Sequence, residues 1–504
     1  MLSTTVQSLG SLIDSARKIM RKDKGLNGDL DRLPLLTWIM FLKFLDDLEL
    51  QREEEAKLAN KPFKPAIVKP YRWRDWATQT DGITGDELLA FINNEETTRP
   101  DGTRGAGLFY YLRSLSGAGG DDRREVIAAV FRGVDNRMKS GYLLRDVINK
   151  IGDIHFTASD ELHTLGALYE SMLREMRDAA GDSGEFYTPR AVVRFMVAVT
   201  DPRLGEAVLD PASGTGGFLV EAYNYLADQV KTVADRNILQ EKSLFGCEPK
   251  PLPYLLCQMN LLLHGLDAPQ IDPGNALRYK LTDIGERERV DVILTNPPFG
   301  GEEERGIQGN FPDDKQTSET ALLFLQLIMR KLRRQGGKAR AAVVVPNGTL
   351  FGDGVCARIK EELLTGFNLH TIVRLPNGVF APYTGIPTNI LFFDRSEPTS
   401  DVWYYEQPLP EGRKNYTKTA PIQFDEFAAC VEWWNNRKEN EQAWKVPVAE
   451  LLENGCNLDR KNPHNKEDIT HLPPEEIVAG ILEKEKRIAE IVSEIQKLLR
   501  SSKA

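Results

Sequence analysis

No apolar run in the 504 residues is long enough to cross a bilayer, which takes roughly 20 residues. The greasiest segment, LPLLTWIMFL at 33–42, is followed by Lys43, Asp46 and Asp47 and reads as a helix to be buried, within the chain or against a partner. The opening residues, MLSTTVQSLGSLIDSARK, lack the basic, apolar and small-residue order of a secretory signal. Cysteine is sparse too. Five are scattered without a CxxC or a Cys/His pair, which predicts reduced thiols, a cytoplasmic location and no metal site. Positive charge is in deficit: 64 Lys and Arg against 74 Asp and Glu leave a net charge of −10, with no long basic cluster. Phosphate contacts supply most non-specific affinity for nucleic acid. A chain that grips DNA unaided is therefore disfavoured; with DNA as substrate, another component must supply much of the hold. Composition is otherwise globular, 41% apolar and 27% charged, and the length suits about two to four domains.

Residues 1–170 show helical spacing. Val6, Leu9, Leu12, Ile13, Ala16, Ile19 and Met20 recur at steps of three and four. PLLTWIMFLKFLDDLELQREEEAKLA, DDRREVIAAVFRGV and ASDELHTLGALYESMLREM follow, the last with Asp160 and Glu161 where a helix start favours negative charge. This region carries no chemistry and reads as a packed helical domain. Residues 171–430 alternate instead. EAVLD (206–210), SLFGCE (243–248), VDVILT (290–295), RAAVVVP (340–346) and HTIVRLP (370–376) are short apolar runs, separated by helix-like PLPYLLCQMNLLLHG (251–265) and ETALLFLQLIMRKLRR (319–334). Strands alternating with helices predict an α/β fold with a doubly wound, parallel sheet. Such sheets bind ligands at the carboxyl ends of their strands.

Three strand ends stand out. LDPASGTGGF (209–218) joins a strand to a helix through Gly214, Gly216 and Gly217, where the missing Cβ lets backbone approach a ligand. It is not the dinucleotide fingerprint, since position 219 is Leu219. Asp210 would repel a pyrophosphate and suits a cationic ligand; a plain strand-to-helix turn is the weaker reading. Glu248 ends the next strand, 34 residues after Gly214, and is placed to bind a ribose diol, although alone it would read as a solvated carboxylate. DVILTNPPFGG (291–301) stops a buried strand at Asn296, Pro297, Pro298 and Phe299. Two prolines cannot continue a ladder and force an extended path. That path turns the Asn296 oxygen and the Pro297 carbonyl toward one space. Converging acceptors suit an amino group, and Phe299 can stack on the ring that bears it; a rigid loop closing the sheet is the bland alternative.

DPASGTGGF followed by NPPF, with GEFYTPR (184–190) ahead of both, resembles the adenine-N6 DNA methyltransferases. More specifically, it resembles the modification subunit of type I restriction–modification systems. LPNGVFAPYTGIPTNILFF (375–393) and LDRKNPH (458–464) extend the resemblance along most of the chain. It implies a Rossmann-like fold that uses S-adenosyl-L-methionine. By that resemblance the segment Glu185, Phe186, Tyr187, Thr188, Pro189 and Arg190 covers the methionine end of the cofactor. Asp210 with Ser213, Gly214, Thr215 and Gly216 holds the methionine and sugar, Glu248 the ribose, and Asn275 the adenine. Asn275 stands where many relatives carry an aspartate. Asn296, Pro297, Pro298 and Phe299 form the catalytic turn. The resemblance also implies double-stranded DNA as substrate, a DNA specificity subunit, a restriction subunit and a second copy of the chain as partners, and no membrane.

EEERGIQGNFPDDKQTSET (302–320) is polar and irregular and is expected to be a loop without helix or strand, either a plain surface segment or one that orders over a flipped base. Residues 431–504 are expected to be helical, ending in a coiled coil. Ile477, Ile481, Lys484, Ile488, Ile491, Ile495 and Leu498 step by three and four. Such a short helix is marginal alone and packs either on a partner or on the chain's own core. The leading function is adenine-N6 methylation by a subunit that borrows its sequence specificity. An RNA or protein-glutamine methyltransferase and a non-catalytic DNA scaffold are the alternatives.

Overall fold

The computed structural model describes residues 6–154, 169, 188–464 and helical residues between 482 and 495, with short gaps at 61, 80–81, 117–122, 335, 337, 382–383 and 418. The helix expected at 158–176 falls outside the described residues except for Tyr169, as do Glu185, Phe186 and Tyr187. Residues 1–460 form one compact unit and 461–504 a second.

The N-terminal helices include Val6–Met20, Asp29–Leu58, Gly85–Asn93, Arg123–Arg132 and Gly141–Gly152. The greasy run 33–42 lies inside Asp29–Leu58, and Leu36, Trp38, Ile39, Met40 and Phe41 are fully buried. It needs no partner: Trp38 meets Phe109 edge-on at 5.0 Å, and Phe41 and Phe109 pack on Phe131. A helix apolar on all sides is one that the chain itself encloses. A small antiparallel hairpin, β1 (Glu96–Thr98) with β2 (Arg104–Ala106), had no counterpart in the sequence reading.

The main sheet has nine strands: β3 (Val208–Asp210), β4 (Leu244–Cys247), β5 (Gln270–Asp272), β6 (Val292–Thr295), β7 (Arg340–Pro346), β8 (Asn368–Arg374), β9 (Thr388–Asp394), β10 (Asp401–Glu406) and β11 (Ala443–Pro447). Their order is β11-β10-β8-β9-β7-β6-β3-β4-β5. The five strands from β3 to β7 are mutually parallel. β9 is reversed between β7 and β8. β6 and the middle of β7 are buried along their length, as expected of parallel strands covered on both faces. From β3 the chain moves outward to β4 and β5, then returns to the other side of β3 as β6. That reversal opens a crevice at the carboxyl ends of β3 and β6.

The sheet runs on past residue 430, into the part expected to be helical. β11 buries Ala443, Trp444 and Val446 and exposes Lys445 and Pro447, the alternation and edge residues of an outer strand. Its Trp444 stacks on Tyr404 of β10 at 5.2 Å. The segment 302–320 also differs from expectation. It holds a helical turn at Arg305–Gln308 and a 3-10 turn at Asp313–Lys315. Ile307 and Phe311 anchor it on a cluster with Leu277, Leu323 and Phe324. Two apolar residues among nineteen polar-looking positions gave too little periodicity to reveal this.

Candidate active site

β3 delivers Asp210 to the crevice, and the chain then turns sharply. The Ser213 N–H donates to the Cys247 carbonyl at 2.9 Å and its hydroxyl to the Asp210 carbonyl at 2.8 Å. Gly214 and Gly216 take left-handed φ values of +53° and +80°, a conformation glycine adopts without strain. Asn260 donates its amide to the Thr215 carbonyl at 2.9 Å, and the helix Gly217–Ala227 begins. Glu248, at the end of β4, accepts the Gly214 N–H at 2.9 Å on one oxygen and the Lys250 N–H at 2.8 Å on the other. It clamps the glycine turn as well as facing the crevice. The closeness expected at Gly216 and Gly217 is real but points elsewhere. A Cβ on Gly216 would stand 2.8 Å from Cys257 Sγ, and one on Gly217 would strike Arg190. Both glycines make room for protein, and Gly217 also lines the crevice.

β6 ends beside β3. The Thr295 hydroxyl donates to Asp210 Oδ1 at 2.7 Å, and the Ala212 N–H reaches the same oxygen at 3.1 Å. Asp210 Oδ2 is buried without a hydrogen-bond partner. Burial raises the Asp210 pKa to about 7; the Thr295 and Ala212 bonds oppose the rise and the Glu248 charge adds to it. The next residue is Asn296. Its Nδ2 donates to Thr188 Oγ1 at 3.0 Å, while its Oδ1 is buried and unpartnered. Buried polar atoms are rarely left so. Two orphan acceptors at adjacent strand ends mark a place shaped for donors that arrive with a ligand.

Thr188, Arg190, Asp210, Ser213, Gly214, Thr215, Glu248, Asn275, Asn296 and Pro298 line one cavity of about 360 Å³, within the usual range for small-molecule sites. The Asn275 side chain also accepts the Leu277 N–H at 2.9 Å and so caps the turn at Ala276–Arg278. Four expected residues lie off the lining. Pro189 precedes the helix Arg190–Thr200, Gly216 faces Cys257, Pro297 is buried, and Phe299 is half-buried with its ring 5.9 Å from Phe380 at 68°. Thr295, Lys250, Thr320, Phe324 and Phe380 were not anticipated. Only Thr295 had a signal, its place beside Asn296. Among the described residues, no group of His, Cys, Asp or Glu is arranged to hold a metal, and no helix is long and apolar enough to cross a membrane.

A glycine turn flanked by two strand-end carboxylates, with an Asn-Pro-Pro-Phe turn one strand away, defines the Rossmann-like amino-methyltransferase class. Similarity to known proteins narrows this class. Residues 160–471 match the N-6 DNA methylase family and residues 9–151 the HsdM N-terminal domain. The chain is 48% identical, over 99% of both sequences, to the type I restriction enzyme EcoEI methylase subunit of Escherichia coli. It superposes on the modification subunit of a putative type I restriction enzyme from Vibrio vulnificus YJ016 with a TM-score of 0.85 at 68% identity, covering 94% of this chain and 100% of that one. A chain from a structural study of complex assembly in the type I R-M system gives a TM-score of 0.80 at 43% identity over 99% of both. The chain belongs to the N-6 DNA methylase family, among the type I methylase subunits, and is an adenine-N6-specific DNA methyltransferase. The RNA, protein-glutamine and non-catalytic alternatives fall away.

Proposed function

We propose that the cavity binds S-adenosylmethionine on its Asp210–Glu248 side and receives a flipped adenine at the Asn296–Phe299 turn. The carrying observation is the pair of buried, unpartnered acceptors, Asp210 Oδ2 and Asn296 Oδ1. They fit a cationic methyl donor and an amino group respectively. Asp210 with Ser213, Gly214 and Thr215 holds the methionine and sugar, with Thr188 and Arg190 at the methionine end. Glu248 takes the ribose hydroxyls, and Asn275 faces the adenine ring. The bound cofactor supplies an electrophilic methyl group on a sulfonium.

The adenine N6 lone pair is delocalised into the purine and is a poor nucleophile. Asn296 Oδ1 and the Pro297 carbonyl accept the two N6 hydrogens and draw the nitrogen toward a pyramidal shape. Positive charge then develops on nitrogen beside two fixed acceptors. Each contributes on the order of 3 kcal/mol, judged from comparable preorganised groups. No general base is required, because the cationic product nitrogen is acidic and loses its proton to water. Extracting the base from the duplex costs a few kcal/mol, and stacking on Phe299 offsets roughly 1–3 kcal/mol of it.

The same proposal covers the assembly. Double-stranded DNA is gripped chiefly by a DNA specificity subunit, joined by two copies of this chain and a restriction subunit, in the cytoplasm. The N-terminal region to about residue 170 and the segment after 460 serve that assembly, and the sheet region between them carries the chemistry. The test is Asn296→Ala in the complete complex. Single-turnover methylation of an unmodified duplex should nearly vanish while calorimetry shows S-adenosylmethionine binding unchanged. A wild-type rate would refute the acceptor mechanism.

A further inference from the structure

A carboxamide has two unlike ends, and only one of them suits this reaction. If Asn296 turned its NH₂ toward the substrate, donors would face the donors of the incoming amino group. The terminal torsion of asparagine is broad and roughly two-fold, so something must bias it. The rest of the residue is already constrained: Thr295, just before it, is tied to Asp210 at 2.7 Å, and Pro297, just after it, restricts its backbone.

We propose that Thr188 is a positioning residue for methyl transfer, its hydroxyl holding the Asn296 amide so that the amide oxygen meets the substrate amino group. The bond is Nδ2 to Thr188 Oγ1 at 3.0 Å, between residues 108 positions apart in sequence. Thr188 is delivered by a firm element. Pro189 follows it, and the helix Arg190–Thr200 then buries Val192, Val193, Phe195 and Met196 in the core. A hydroxyl can donate as well as accept, so the tether alone tolerates either amide orientation. Once an amino group is present the two differ. With Thr188 accepting from Nδ2 and Oδ1 accepting from the substrate, both ends of the amide are paired. In the reverse orientation the NH₂ opposes N6–H and both are left unpaired, at a cost. Removing the hydroxyl strands Nδ2 and cancels the advantage of the productive orientation. This role is additional to any contact Thr188 makes with the cofactor, and it rests on the catalytic reading of Asn296.

The experiment uses the assembled complex carrying Thr188→Val, Thr188→Ser or Asn296→Ala. Three quantities are measured: single-turnover methylation at saturating S-adenosylmethionine and DNA, S-adenosylmethionine affinity by calorimetry, and fluorescence of 2-aminopurine at the target position. Thr188→Val should slow transfer about tenfold at saturating S-adenosylmethionine, the worth of one lost hydrogen bond, over and above any loss of cofactor affinity, with base-flipping fluorescence unchanged. Thr188→Ser, which keeps the hydroxyl, should restore the rate. A wild-type rate in Thr188→Val, a loss confined to cofactor affinity, or failure of Thr188→Ser to rescue overturns the proposal. Asn296→Ala separates the two claims: if it methylates normally, the catalytic reading itself is wrong, whereas an inactive Asn296→Ala beside a normal Thr188→Val sinks only the role of Thr188.

Discussion

Thr295 Oγ1 lies 2.7 Å from Asp210 Oδ1, a hydrogen bond that joins the end of the strand bearing the Asn296–Phe299 turn to the end of the strand bearing the glycine turn. Side chains 85 residues apart thereby share one carboxylate. The bond favours the ionised form of Asp210, which burial disfavours.

That balance sets a pH dependence. The Asp210 pKa is raised from 3.8 to about 7 in the folded chain, so below pH 7 the free protein holds a proton that a cationic ligand must displace. S-adenosylmethionine affinity should rise with pH, by up to about tenfold per unit below pH 7, and level off above it. The sign for stability is opposite. Between the ordinary carboxylate range and pH 7 the folded state binds the extra proton, so this group's contribution to stability falls as pH increases through that window. Thr295→Val should move the affinity midpoint upward, and Asp210→Asn should flatten the profile. Calorimetric titrations across pH 5.5–8.5, roughly centred on that value, check both; a flat wild-type profile refutes the coupling.

The glycine turn predicts a different kind of damage. Gly216→Ala would force a side chain into φ +80° and set its Cβ 2.8 Å from Cys257 Sγ. Strain of this kind costs about 1–3 kcal/mol, so the melting temperature should drop. Cofactor affinity should weaken as the turn shifts. Adding Cys257→Ala should recover the clash and not the backbone strain, giving partial rescue in thermal denaturation. Full rescue would mean that the left-handed backbone carries no cost.

How far the sequence alone reached depends on what each residue advertises. β7 was legible to the residue at Arg340–Pro346, because a buried parallel strand is an unbroken apolar run. β5, at Gln270–Asp272, is three residues long and has no period to detect. β9 falls in LPNGVFAPYTGIPTNILFF, a stretch marked only by the family resemblance; nothing local says that it runs antiparallel, since direction is fixed by its neighbours. In the site, Asp210, Glu248 and Asn296 announced themselves as polar residues ending apolar runs. The partners that orient them did not. Phe380 lies 81 positions beyond Phe299 in sequence, and threonines such as Thr295 look like ordinary strand residues until the fold pairs them.

Phe380 braces the Phe299 ring proposed to stack on the target base. Phe299 meets it edge-on at 5.9 Å, which fixes the tilt of the ring available for stacking. Phe299→Ala should weaken retention of the flipped base by about 1–3 kcal/mol, read as a raised KM for unmodified duplex and a loss of 2-aminopurine signal. Phe299→Trp should lose less. Phe380→Ala should show a milder form of the same defect, because the stacking ring survives without its brace. Cofactor affinity should be untouched in all three. A Phe380→Ala enzyme with normal KM would show that the brace is dispensable.

The C-terminal helix carries the last prediction. Ile477, Ile481 and Leu498 of the heptad pattern lie outside the described residues, but Ile488, Ile491 and Ile495 are helical and exposed. Exposed isoleucines at steps of three and four fit the expected coiled-coil seam, which calls for another helix. The rest of the chain is acidic overall, so little intrinsic hold on DNA is expected. Deleting 475–504 should therefore leave S-adenosylmethionine binding intact and end site-specific methylation by the complex, through loss of the specificity subunit in co-purification. Replacing Ile488, Ile491 and Ile495 together by Ser should do the same without shortening the chain. The full-length chain alone should bind DNA weakly, without sequence preference and with strong salt dependence. Efficient methylation of one defined sequence by the isolated chain would overturn borrowed specificity. Retention of the specificity subunit by the triple variant would place the docking surface elsewhere.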